Sequence, residues 1–251
     1  MIFILSFILY VLFTFCFHKL KFINLKSIFL ILKNLVLKYG IIFLSPDFYF
    51  ANQFKPKSSF FKREAIIRWN HLNISFPLII AILLFFCSDY IFSKLFLNEK
   101  LYIFVSLFWF FRIISRSIEI ILAFFNDVIT SKNTSKLSKF ERIKLAAFSY
   151  FENILNFAIF YLFSYNYFYY YGIFSNTSPY LSSLFEELKT IYPPDQSLNI
   201  IFFISKSFYI STGTNVGGLN LFFALQILTS LTLVIFAVAG YLGNVKNKHN
   251  V

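Results

Sequence analysis

Charged residues are scarce in this 251-residue chain, at 14% against about a quarter in an ordinary soluble protein. So few polar groups cannot wet the surface of a globule of this size. That argues against a cytosolic enzyme, a secreted disulfide scaffold, a coiled coil and a disordered tail. Cysteine is equally sparse: Cys16 and Cys87 lie inside apolar runs and read as two buried free thiols rather than a bridge. Recognisable catalytic patterns are missing as well. His18, His71 and His249 are scattered, with no pair at metal-ligand spacing. There is no Gly-x-Ser-x-Gly elbow, and Glu186 and Glu187 are adjacent rather than one turn apart. The expectation is a non-enzyme with no catalytic residue, no cofactor and no metal site.

What the chain does have is hydrocarbon. Hydrophobic residues make up 58% and the mean hydropathy is +0.69, which leaves an integral membrane protein with several spans of roughly 20 residues each. The 39 Phe residues need no functional explanation, because Phe, Ile, Asn, Lys and Tyr all have AT-rich codons and a low-GC genome supplies them. The net charge of +12 points to nucleic acid only where basic residues cluster on a polar face. Here they sit between apolar runs, as cytoplasmic loops do, so the expected partner is a lipid bilayer and not a nucleic acid.

Along the chain, residues 1–17 form an apolar run with basic residues only behind it, which reads as an uncleaved anchor rather than a signal sequence. Residues 27–44, interrupted by Lys33 and Lys38, suit an amphipathic helix in the bilayer interface. Pro46 closes that run, and residues 47–75 read as a polar, basic cytoplasmic segment. Residues 76–97 and 101–129 follow as two long helices joined by a tight turn at Asn98, Glu99 and Lys100. The basic loop 130–144 ends in Ser138-Lys139-Phe140-Glu141, a capping box, and a third helix runs to about Tyr165. A Tyr-rich polar stretch reaches residue 199. Residues 200–210 are apolar but too short to span, 211–220 are rich in Gly and Thr, 221–242 span, and 243–251 are a basic tail.

The segments after Asp47, after Thr130 and after Gly243 hold five, five and two Lys or Arg, while the intervening connections hold Lys94, Lys100 and Lys189. This bias sets the expected topology, a multi-pass protein of the cell membrane with a cytoplasmic C-terminus. Three regions follow: an anchor, interfacial helix and basic segment over 1–75, a transmembrane bundle over 76–165, and an outer loop, re-entrant loop and last helix over 166–251. The expected fold class is all-α, a polytopic integral membrane helical bundle with a re-entrant pore loop before the last helix. Non-helical backbone at membrane depth is tolerated only where protein or water covers it, and glycines there let carbonyls face a passing ion. The same residues also fit an ordinary turn before a last helix, with 200–210 lying in the interface.

The stretch Ser207-Phe208-Tyr209-Ile210-Ser211-Thr212-Gly213-Thr214-Asn215-Val216-Gly217-Gly218 resembles the pore signature of potassium channels. There, Ser-Phe and three further residues precede Thr-Thr-Val-Gly-Tyr-Gly-Asp. The Leu225-Gln226-Ile227-Leu228 run with Ala237, Ala239 and Gly240 is similar to the inner helix of bacterial two-span-pore channels, and the resemblance extends over roughly residues 76–243. It implies an ion channel engaged in ion transport, a homo-oligomer with a tetramer favoured, and monovalent cations as the transported species. Thr212, Gly213, Thr214, Asn215, Val216, Gly217 and Gly218 would line the constriction. The Gly-Tyr-Gly triplet itself is absent, with Asn215-Val216-Gly217 in its place, so potassium selectivity does not carry over. A weakly or atypically selective pore is the primary expectation, and a non-conducting accessory or effector protein on the same scaffold is the alternative.

Asp89, Arg112, Arg116, Glu119 and Glu152 fall inside apolar helices. Charges there are costly and pair with one another or line a cavity. Arg116 and Glu119 stand three apart, within reach of a local pair. Arg112 has two candidate partners on neighbouring helices. One is Asp89, at a similar distance from the turn at residues 98–100, and the other is Glu152. Helix-locking ion pairs are the plain reading. A voltage sensor asks for a longer arginine ladder than two residues four apart, and a third reading has the membrane end near Arg112.

Overall fold

The computed structural model describes residues 2–19, 45–53, 59–125, 137–171, 200–212 and 221–234, and among them it is all-helical. Among the described residues there are seven helices: α1 (Ile2–Lys19), α2 (Pro46–Gln53), α3 (Ser59–Phe96), α4 (Glu99–Phe124), α5 (Lys139–Tyr171), α6 (Ile200–Ser211) and α7 (Leu221–Leu231). Two of them contain stretches long and apolar enough to cross a membrane, Phe61–Ser88 in α3 and Phe140–Asn166 in α5.

Helix α3 runs for 38 residues through the expected boundary at 75/76. It contains Pro77, and its helical geometry breaks at Cys87, where φ is −125° and ψ is 19°. A proline has no N–H to give to the carbonyl four residues back, so Asn73 C=O loses its helical donor. That carbonyl instead accepts from Arg112 Nη2 at 3.4 Å. A tertiary contact from α4 thus repairs the ladder of α3.

The reversal between α3 and α4 is tighter than the three residues expected. Asn98 N–H donates to Leu95 C=O at 3.0 Å, and the Asn98 side chain accepts from Leu101 N–H at 3.1 Å, so α4 starts at Glu99. At the start of α5, Ser138 Oγ accepts from Glu141 N–H at 3.2 Å while the Glu141 carboxylate accepts from Ser138 N–H at 2.8 Å. These are the reciprocal bonds of a capping box. Helix α5 then continues to Tyr171, past the expected boundary at 165/166.

Helix α5 is the axle of the bundle. Residues 156–163 are buried without interruption, as in a helix packed on every side. It runs antiparallel to α4, since Tyr102 bonds Phe163 C=O while Arg116 bonds Glu152. It runs parallel to α3, where Arg63 meets Glu141, Asn70 meets Ser149, and Phe92 lies against Phe163. One core joins α3, α4, α5, α6 and α7 through Leu84, Trp109, Phe157, Phe203 and Phe223. Helix α1 lies on α4 by edge-on ring contacts, Phe3 and Phe7 on Phe111 and Phe13 on Phe108, with centroids 5.0–5.1 Å apart.

Two expectations are corrected. Residues 46–53 are not part of a solvated polar segment: they form α2, packed against α1 and α4, with Asp47, Tyr49 and Phe50 buried. Ser45-Pro46-Asp47 is a helix start, with Ser45 Oγ accepting from Phe48 N–H at 3.2 Å and proline at the first helical position, where its missing N–H costs nothing. Cys16 and Cys87 are unpaired as expected, but exposed rather than buried. The amphipathic reading of 27–44 and the residues Gly213, Thr214, Asn215, Val216, Gly217 and Gly218 lie outside the described residues.

Candidate functional site

Beside its apolar core the bundle buries a group of charged and polar side chains. On α4, Arg112, Ser115, Arg116 and Ser117 are buried, and on α5 Glu152, Asn153 and Asn156 are buried. Spacings of three and four residues put Arg112, Ser115 and Arg116 on one face of α4, and Glu152 and Asn156 on one face of α5, and the antiparallel packing brings the two faces together.

Arg116 is the hub. Its Nε and Nη2 each donate to Glu152 at 2.7 Å, to Oε1 and Oε2 respectively. This two-pronged pair is the geometry only a guanidinium can supply. Its Nη1 binds Glu119, one turn along α4. Arg112 lies one turn away, fully buried, with Nε donating to Asn156 Oδ1 at 3.1 Å and Nη2 3.7 Å from Glu152. Its guanidinium also covers the Phe76 ring at 4.8 Å, a cation–π contact that gains strength away from water. Of the two candidate partners, Glu152 is therefore the one placed beside Arg112. Asp89 lies on α3 two residues beyond the break at Cys87, and its side chain is outside the described residues.

A second cluster adjoins the first. Asp47 Oδ2 accepts from Ser115 Oγ at 2.5 Å and from the Tyr10 hydroxyl of α1. Asp47 N–H donates to Ser115 Oγ at 3.1 Å, and Ser45 Oγ donates to Ser115 C=O at 2.8 Å. Ser115 thereby ties α1 and α2 to α4. It is next in sequence to Arg116, so one turn of α4 serves both clusters. Together they hold the side chains of two arginines and three carboxylates, from Asp47, Glu119 and Glu152.

A third cluster holds the short helix α6. Gln226 Nε2 of α7 donates to Ser207 C=O at 2.8 Å and to Ser207 Oγ at 2.7 Å, and Tyr161 of α5 donates to Gln226 Oε1 at 2.9 Å. Ser207 Oγ in turn donates to Ile154 C=O at 2.8 Å. Nearer its C-terminal end, Ser211 Oγ lies 3.0 Å from the Tyr150 hydroxyl. Thr212 closes α6: its N–H donates to Phe208 C=O at 3.1 Å and its hydroxyl to Tyr209 C=O at 2.8 Å. Of the seven residues expected to line a constriction, Thr212 is the one described, and its hydroxyl is turned back onto its own helix.

Tyr10, Asp47 and Asn156 are among the participants that the sequence reading does not single out, and Ser207 and Gln226 enter it only through the resemblance. Asp47 carried a signal in the Ser-Pro-Asp start of α2. Gln226 is a lone amide in an apolar run, which at membrane depth seeks a partner. Among the described residues no group of three or more His, Cys, Asp or Glu is placed to hold a metal ion. No family model, no curated protein and no solved structure matches the chain.

Proposed function

We propose that the chain is a polytopic integral membrane protein of the cell membrane with a cytoplasmic C-terminus, built like a channel. In this reading it assembles as a homo-oligomeric pore of weak or atypical cation selectivity. The observation that carries the membrane part is an inverted polarity. Arg112 and Glu152 are fully buried, while Leu78, Ile79, Ile82, Leu83 and Phe86 of α3 face outward, Phe86 with 76% of its surface exposed. In water that arrangement is doubly unfavourable, and against hydrocarbon each half becomes favourable.

The pore part rests on α6. Twelve residues extend about 18 Å at 1.5 Å per residue, short of a ~30 Å hydrocarbon core. The helix is pinned on one side by Ser207 and Gln226, and its C-terminal end leads into the Gly- and Thr-rich residues 212–218. A short helix pinned inside a bundle and followed by glycines is the layout of a re-entrant loop, and the resemblance to potassium channels adds to it. Four copies around an axis would bring Thr212, Gly213, Thr214, Asn215 and Gly217 together, with backbone carbonyls or an Asn215 ring facing monovalent cations. Purified protein in planar bilayers should conduct, and Asn215→Asp should alter the current. Flux equal to that of empty liposomes overturns the pore.

A second reading, a non-conducting accessory or effector subunit, is favoured by the missing Gly-Tyr-Gly triplet and by the exposed Ile201, Phe208 and Tyr209 on α6. It predicts assembly with a different membrane protein and no current.

A further inference from the structure

The end of the bundle where α3 and α5 begin carries chemistry that the pore reading does not use. The two helices are parallel, so their first turns lie at the same end. Glu141 is engaged there by Arg63, whose Nε lies 3.3 Å from it. Just beyond, the Phe148 ring meets two basic side chains. The Lys144 ammonium stands 5.5 Å from its centre, and the His71 ring lies against it with centroids 5.3 Å apart. Arg68, one turn before His71, keeps 65% of its side chain exposed and approaches Glu64 only to 3.8 Å. Asn70 closes the floor of the seam by donating to Ser149 Oγ at 3.1 Å.

Following both helices further in, the outward residues turn apolar. Leu72 and Leu78 are exposed on α3, and Phe151 on α5. Helical spacing keeps Arg68, His71 and Leu78 on one face of α3, and Lys144, Phe148 and Phe151 on one face of α5. The seam therefore has cations at its rim and exposed apolar side chains beneath. Zwitterionic lipids present no net charge to such a rim. Basic sites between helices at the cytoplasmic side suit anionic headgroups, and an acyl chain can lie against the apolar side chains.

We propose that the α3–α5 seam binds one anionic phospholipid, its phosphate among Arg68, His71 and Lys144 and an acyl chain along Leu78 and Phe151. The inference rests on the membrane reading above. The full chain is reconstituted in nanodiscs of phosphatidylcholine alone or with phosphatidylglycerol, and thermal unfolding and retained lipid are measured. The expected result is a Tm several degrees higher with phosphatidylglycerol, with one such lipid retained per protomer in native mass spectra. R68A/H71A/K144A should lose both effects yet keep the wild-type Tm in phosphatidylcholine, whereas K94A/K100A, at the far ends of α3 and α4, should keep both. Equal Tm values in the two lipids overturn the inference while leaving the membrane reading standing, and so does a lipid effect that survives the triple substitution. A chain that enters neither bilayer overturns both.

Discussion

Pro77 and Arg112 are complementary: the proline leaves Asn73 C=O without a donor in its own helix, and the arginine on the next helix supplies one at 3.4 Å. Each residue is awkward alone, a helix breaker on one side and a buried cation on the other. Together they satisfy a carbonyl that apolar surroundings would leave bare.

Pro77→Ala should therefore be tolerated, because it restores the helical bond to Asn73. Arg112→Met should cost about 3–5 kcal/mol, as breaking a buried ion pair does. In the Pro77→Ala background the arginine loss should be smaller by about 1 kcal/mol, the size of one net hydrogen bond. A double-mutant cycle on thermal or denaturant unfolding in detergent checks this, and strict additivity would deny the coupling.

Glu152 and Glu119 both serve Arg116, but only Glu152 is fully buried and doubly bonded. Glu152→Gln should reduce the yield of folded protein severely, while Glu119→Gln should lower Tm by only a few degrees. Size-exclusion profiles of the two variants, expressed side by side, give the ranking. The reverse order would mean that the pair to Glu119 dominates.

Asp47→Ala removes the acceptor shared by the Tyr10 and Ser115 hydroxyls, at about 1–3 kcal/mol, although Ser115 Oγ keeps the Asp47 N–H. Asp47→Asn keeps an acceptor oxygen and should recover part of that loss. Were residues 46–53 a solvated segment, both variants would unfold like wild type.

Gln226→Leu removes two donors to Ser207 and the acceptor of Tyr161. Amide exchange across Ile200–Ser211 should rise at least tenfold, with α3 and α4 unchanged. On the pore reading the open probability should also change, since residues 212–218 follow α6 directly in the sequence.

On the membrane reading the basic residues 130–144 should be labelled from the cytoplasmic side only. With the two exposed native cysteines changed to serine, Lys136→Cys should react with an impermeant maleimide in inverted vesicles and not in intact cells. Labelling in intact cells would reverse the orientation drawn from the basic residues.

Features with short sequence reach were legible beforehand. The capping box at Ser138 and Glu141, the turn at Asn98, and α6 as a separate short helix each depend on residues within four positions of one another or on a local apolar run. The pairing of Arg112 and Arg116 is legible because each stands in an apolar run of sequence with few alternatives. What escaped depends on distant pairing. The choice of Glu152 for Arg112 depends on the register of two helices separated by a loop, and the spacing to Asp89 fitted a pair equally well. The sequence misplaces Asp47 because proline reads as the end of one helix, although it also suits the first position of the next. Hydropathy registers that Asp is polar but carries nothing about a tyrosine 37 residues earlier that can satisfy it.

The bidentate bond between α4 and α5 also constrains how the protein is made. Helix α4 carries Arg112, Arg116 and Glu119 in its middle, and each such charge costs roughly 2.5–3.5 kcal/mol to insert alone. Helix α5 brings the carboxylate and the amide that the two arginines need. On the membrane reading, neither helix leaves the translocon comfortably by itself. They would exit as a preassembled hairpin, and a nascent chain halted before Glu152 would sit at the ER-like lateral gate as a substrate for quality-control proteolysis.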